Sequence, residues 1–128
     1  MMKTPKRLSI ITIGYNNFQE VSETLNSIDG QDDYFYENIV ILKSFSSEEK
    51  HKINNLYAKS NRKFYFDIDN SIFNAMNKAI ELSTGNFIYF LNSGDTFYSS
   101  KSLRLINSKL KKDTILSFKT LQVYKNLK

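Results

Sequence analysis

Residues 69–95 read DNSIFNAMNKAIELSTGNFIYFLNSGD, and the order of their parts decides the fold. An acidic loop around Asp69 leads into an amphipathic segment, a glycine, an unbroken apolar run and a polar turn that closes on Asp95. Ile72, Ala75, Met76, Ala79 and Ile80 recur at helical spacing, so 71–83 predicts a helix with one apolar face. Gly85 supplies a left-handed stop. Phe87 to Leu91 is apolar at every position, which predicts a strand central in its sheet. Asp69 and Asp95 then occupy neighbouring loops on the rim where open α/β sheets bind their ligands.

The same alternation extends outward in both directions. Leu8 to Ile13 is a nearly continuous β-branched run, the pattern of a strand buried on both faces. Asn17 caps a first helix, with Glu20 at capping-box spacing, an inward stripe of Phe18, Val21, Leu25 and Ile28, and a stop at Gly30. Asn38 to Leu42 forms the second strand. Ser46 opens a second helix with Ile53, Leu56 and Tyr57 on its apolar side, and Phe64 to Phe66 forms a short third strand. Downstream, 100–110 predicts a fourth helix carrying Leu103, Ile106 and Leu110, and Thr114 to Phe118 a fifth strand. Strands alternating with helices through short loops predict a three-layer α/β sandwich on a mainly parallel sheet, with right-handed crossovers. Residues 1–128 read as a single domain.

Composition narrows the chemistry. The chain has no cysteine, which excludes disulfides and thiolate metal sites and fits a reducing cytoplasm. No apolar stretch reaches the ~20 residues that span a bilayer. The net charge of +5 gathers at the two ends, in Lys3, Lys6 and Arg7 and from Lys101 onward. Such charge favours a solvated surface, with peripheral contact to an anionic membrane or a phosphorylated ligand as the functional alternative. No nucleic-acid-binding module accompanies it.

Three loops carry candidate ligand groups. In the turn Asn92-Ser93-Gly94-Asp95, the carboxylate stands just past a strand end, where divalent ions on phosphates bind. Magnesium and manganese take oxygen ligands, often one or two carboxylates plus the substrate's own phosphate oxygens. Asn92 and Ser93 add neutral oxygens, and Gly94 lets the backbone approach closely. Asp69 reads either as a helix cap or as a pocket ligand; the Asn77–Lys78 pair beside an apolar stripe is left over by the capping role. In Gly14-Tyr15-Asn16-Asn17, Tyr15 reads as a surface for a base or sugar, or the segment is a turn and a cap. His51, the single histidine, lies on the polar side of its helix. Gly-x-Ser-x-Gly, Gly-rich phosphate-loop and dinucleotide fingerprints are absent.

With those residues in view, the chain resembles the N-terminal half of family 2 glycosyltransferases of the GT-A fold, in the bacterial branch that builds polysaccharide. LSIITIGYNN is similar to the family's first strand and nucleotide-contacting loop. DNSIFNAMNKAIELSTGNFIYFLNSGD resembles its Asp-x-Gly-Ile-Tyr-Asp-Ala-Met-Asn-Lys-Gly run and the strand leading to its acidic metal motif. IVILKSFSSEE lies where the second strand and its acidic loop belong. The resemblance implies a Rossmann-like nucleotide-binding half and a nucleotide-diphosphate-sugar donor. It implies manganese or magnesium on Asp95, and a donor pocket drawn from Thr12, Tyr15, Asn16, Asp69, Asn77, Lys78, Asn92, Ser93 and Gly94. It further implies transfer with inversion to a glycan or lipid-linked acceptor, in the cytoplasm or peripheral to the inner membrane.

The chain departs from the family pattern at three places. Lys43, or Leu42 under a shifted alignment, stands where an acidic residue usually grips the base or ribose. The motif's glycine is Ser71 and its second aspartate is Asn74. The chain also stops where the family's acceptor-binding part begins, so a truncated donor domain is expected, with the catalytic base unassigned. Surface left for that part to cover predicts self-association. A second class of reading is a degenerate, non-catalytic protein retaining the donor-binding scaffold. A nucleotidyltransferase fragment would need a glycine-rich loop that GYNN does not supply.

Overall fold

A computed structural model describes residues 8–33, 35–68 and 71–110. Asp69 and the strand expected over 114–118 lie outside them. The elements run β1 (Leu8–Tyr15), α1 (Phe18–Asp29), β2 (Tyr36–Lys43), α2 (Ser47–Tyr57), β3 (Arg62–Phe66), α3 (Ile72–Leu82), β4 (Phe87–Phe90) and α4 (Ser102–Ser108). All pairings among the described strands are parallel, in the order β3-β2-β1-β4. The sheet grows from β1 through β2 to β3, then reverses to the far side of β1. A right-handed crossover therefore puts α3 on the opposite face from α1 and α2.

Alternation along the strands builds two cores. Leu8, Ile10, Val40 and Leu42 face α1, α2 and α4, where they meet Val21, Leu25, Ile28, Ile53, Leu103 and Ile106. Ile11, Ile39 and Ile41 face the other way, onto Ala75 and Ala79 of α3. Val21, Leu25 and Ile28 are wholly buried, each stabilising the fold by roughly 1.5–3 kcal/mol. Caps set the helix starts: Asn17 Oδ1 accepts from Glu20 N at 3.1 Å. Ser46 and Glu49 complete a reciprocal capping box.

Among the described residues β4 pairs on one side only, with β1. An apolar run reports cover on both faces of a sheet, and a strand paired on one side can have that cover. Phe87 and Tyr89 pack toward the larger core and Phe90 toward α3. Gly85 is not a left-handed stop. The cap of α3 is Ser83, whose N–H and hydroxyl both donate to Ile80 O. Gly85 is needed for close approach instead, since a Cβ there would lie 2.5 Å from Ser9 Oγ and 2.8 Å from Ser9 N. Leu56, Ile72 and Ile80 were expected in apolar stripes but are exposed, as is Phe73. The apolar arc of α3 is wider than the strip of sheet beneath it. No described helix is long and apolar enough to cross a membrane.

Candidate functional site

The carboxyl ends of the strands share a conformational signature. Asn16, Ser44 and Asp67, each one residue past β1, β2 and β3, have φ of 49°, 64° and 53°. Gly94, in the turn after β4, has φ 96°. Left-handed backbone costs a β-carbon residue of order 1–3 kcal/mol unless its surroundings fix it, and it clusters where ligands are held. Each strand thus turns sharply at one rim, opening space above the sheet.

That space is a groove of about 180 Å³ lined by Ile13, Gly14, Tyr15, Ile41, Leu42, Lys43, Ile68, Ser71, Ile72 and Ala75. Its lining is mainly apolar, with Lys43, Ser71 and the Tyr15 phenol as polar groups. Small-molecule sites usually measure roughly 300–1,000 Å³, so the groove suits one flat, half-apolar portion of a larger ligand. Tyr15 is 66% exposed at its edge.

Beside the groove lies the turn after β4. Ser93 N donates to Ile13 O at 2.9 Å, extending the β1–β4 pairing past the strand. A Cβ on Gly14 would meet Val21 at 2.8 Å, Leu42 at 2.9 Å and Ser93 at 3.1 Å; a glycine there lets turn and groove share a wall. Thr24 of α1 anchors the turn from beneath. Its buried hydroxyl accepts from Gly94 N at 2.9 Å and donates to Asp95 O at 2.8 Å. The Asp95 carboxylate is thereby left exposed above a fixed backbone. Its charge adds to burial in raising the pKa of Tyr89.

The oxygens around this turn fit a hard cation. Asn92 Oδ1 and Ser93 Oγ are buried without a hydrogen-bond partner, and Glu20 brings a second carboxylate alongside Gly94. No group of three or more His, Cys, Asp or Glu gathers among the described residues. An ion held there would rest on Asp95, these neutral oxygens and the ligand's own phosphates, as magnesium commonly does.

The residues expected from sequence separate into distinct places. Tyr15 lines the groove, and Asn16 fixes its end by donating to Lys43 O at 3.0 Å. Asn92, Ser93, Gly94 and Asp95 form the turn. Thr12 is fully buried, its hydroxyl accepting from Asn38 Nδ2 at 3.3 Å within the core. Asn77 and Lys78 are exposed and do not line the groove, and Lys78 lies 3.8 Å from Glu81. Asp69 falls outside the described residues. Sequence reading missed Thr24 and Asp67; the signal for Thr24 was a polar residue inside the apolar stripe of α1.

The sequence model of Glycosyl transferase family 2 matches residues 9–125. No curated protein matches the chain in sequence. Among solved structures, it is similar to S. aureus TarS 1–349 in complex with UDP-GlcNAc. The TM-score there is 0.70 at 24% identity, over 80% of this chain and 30% of that one. TarS 1–349 in complex with UDP gives 0.69 at 23% identity, over 80% and 31%. The mannosyltransferase PcManGT from Pyrobaculum calidifontis, in complex with GDP-Man and Mn2+, gives 0.66 at 16% identity, over 79% and 31%. At these identities the likeness is one of fold, and the chain spans less than a third of each of these proteins.

Proposed function

Because the chain belongs to Glycosyl transferase family 2, we propose that its rim is the donor site of a sugar transferase that uses a nucleotide-diphosphate-sugar. The observation that carries the reading is the adjacency of an apolar groove and an exposed carboxylate turn, joined through Gly14 at the point where the strand order reverses. The nucleoside fits the groove, with Tyr15 against its base or ribose and Lys43 at its polar edge. The diphosphate then lies over the Asn92–Asp95 turn. Similarity to folds solved with UDP-GlcNAc and with GDP-Man and Mn2+ supports this placement.

Asp95 would hold manganese or magnesium, with Asn92 and Ser93 supplying oxygens nearby. Such an ion, when bound, neutralises charge on the departing nucleotide diphosphate. The chain's own part is to orient the donor. Thr24 fixes the backbone beneath the phosphates, Gly14 lets turn and groove meet, and the apolar lining excludes water from the base. The acceptor, a glycan or lipid-linked sugar, and the base that takes its proton belong to no residue assigned here. Work in the cytoplasm, with peripheral attachment to an anionic membrane through the basic ends, forms part of the same proposal. So does self-association through exposed apolar surface outside the groove, such as Phe73 of α3.

Calorimetry with manganese and a panel of UDP-, GDP- and dTDP-sugars tests the reading. Binding to at least one donor is expected, and Asp95→Ala should weaken it at least about tenfold through loss of a charged ligand. Silence across the panel from folded protein would overturn it. That result would favour a non-catalytic remnant, a reading already favoured at one point by Lys43 standing where the family resemblance expects a carboxylate.

A further inference from the structure

The peptide group between Lys43 and Ser44 lies among three strand ends. Its carbonyl accepts from Asn16 N, past β1, at 3.0 Å. Its N–H donates to Asp67 Oδ1, past β3, at 3.0 Å. Backbone pairing of β2 with β3 ends at Leu42 and Phe66. The Asp67 carboxylate therefore carries the ladder one step further, with a side-chain oxygen in place of a backbone carbonyl.

The same residue ties down more of the rim. Asp67 Oδ2 accepts from Lys50 Nζ of α2 at 2.8 Å, and Asp67 N donates to Leu42 O at 2.9 Å. Ser44 and Asp67 both hold left-handed backbone, which persists only where neighbouring contacts fix it. Lys43 and Ile68, the residues next to this clasp, are walls of the groove. Lys50 and Asp67 are 33% and 45% exposed, so their ion pair contributes little by itself. The bond to Ser44 N–H is the part that orders the loop.

We propose that Asp67 is a positioning residue of the nucleotide groove, holding Lys43 and Ile68 at the spacing a nucleoside needs through its hydrogen bond to Ser44. The proposal rests on the donor-site reading above. It is tested by calorimetry with manganese and the donor-sugar panel on three variants of the full chain. Asp67→Ala removes both contacts and should weaken binding about tenfold. Asp67→Asn keeps an oxygen for Ser44 N–H, and Lys50→Met removes only the ion pair; both should stay within about threefold of the unaltered protein.

An Ala variant that binds normally would overturn the role of Asp67 alone. An Asn variant as weak as Ala would overturn it too, since charge and not loop geometry would then govern binding. Failure of the unaltered protein to bind any donor would instead sink the donor-site reading and this role with it. Amide exchange on the unaltered protein gives a second readout should Asp67→Ala not fold. Ser44 N–H should be protected, and more so with nucleotide; exchange at the rate of a free peptide in both states would overturn the clasp.

Discussion

Arg62 is a long cationic side chain with none of its surface exposed, a placement that only full pairing sustains. Its Nε donates to Asn38 Oδ1 at 2.7 Å, its guanidinium to Tyr57 O at 3.0 Å and to Asp29 Oδ1 at 2.9 Å. Asn38 passes the network on to Ile10 O at 2.9 Å and to Thr12. Arg62→Ala leaves Asn38 Oδ1 and Tyr57 O without their donor, while Asp29 keeps Lys59 at 3.1 Å. At about 1–3 kcal/mol for each stranded acceptor, it should cost about 2–6 kcal/mol in urea denaturation. Removing Lys59, the more exposed partner of Asp29, should cost no more than about 1 kcal/mol. This seam also explains Thr12: the family resemblance implies a donor contact there, and the fold uses its hydroxyl as a core acceptor.

α1 does two tasks with one stripe. Val21, Leu25 and Ile28 fill the core, while Thr24, also fully buried, reaches the turn after β4. Thr24→Val keeps the shape and removes the hydroxyl, leaving Gly94 N and Asp95 O short of a partner. A stability loss of about 1–3 kcal/mol is expected, with donor binding in manganese weakened beyond what the folded fraction explains. Melting curves beside calorimetry separate the two effects. The spacing of the α1 stripe was legible in the sequence, because helical period is a local property. The partner of Thr24 was not, because it lies about seventy residues away along the chain. α3 shows the same division. Its length and the Ser71 start were readable, but which part of its apolar arc meets the sheet depends on where β1 and β2 end beneath it.

At the scale of the molecule, the two ends of the sheet have separate work. The carboxyl rim carries the open groove, and the opposite end is stitched shut by Glu37. One oxygen of that carboxylate accepts from Ser9 Oγ and Thr84 N, each at 2.5 Å, and from Gly85 N at 3.2 Å. Burial pushes the Glu37 pKa up, but these donors outweigh it and hold the carboxyl below its ordinary 4.5. Its stabilising contribution is thus complete above about 4.5 and is lost as pH falls through the lower folded-state value. Unfolding midpoints followed from neutral to acid should drop more steeply for the unaltered protein than for Glu37→Gln, and parallel curves would contradict this. By itself the sequence determined the order of the elements, the caps that open α1 and α2 and the parallel α/β plan, because period, capping and turn chemistry act within a few residues. The tertiary structure decided that β4 pairs on one side only among the described residues, that Thr12 is buried, that Asn77 and Lys78 lie exposed outside the groove, and that Asp67 bridges strand ends. Those outcomes depend on contacts between residues far apart in the chain, which no local pattern encodes.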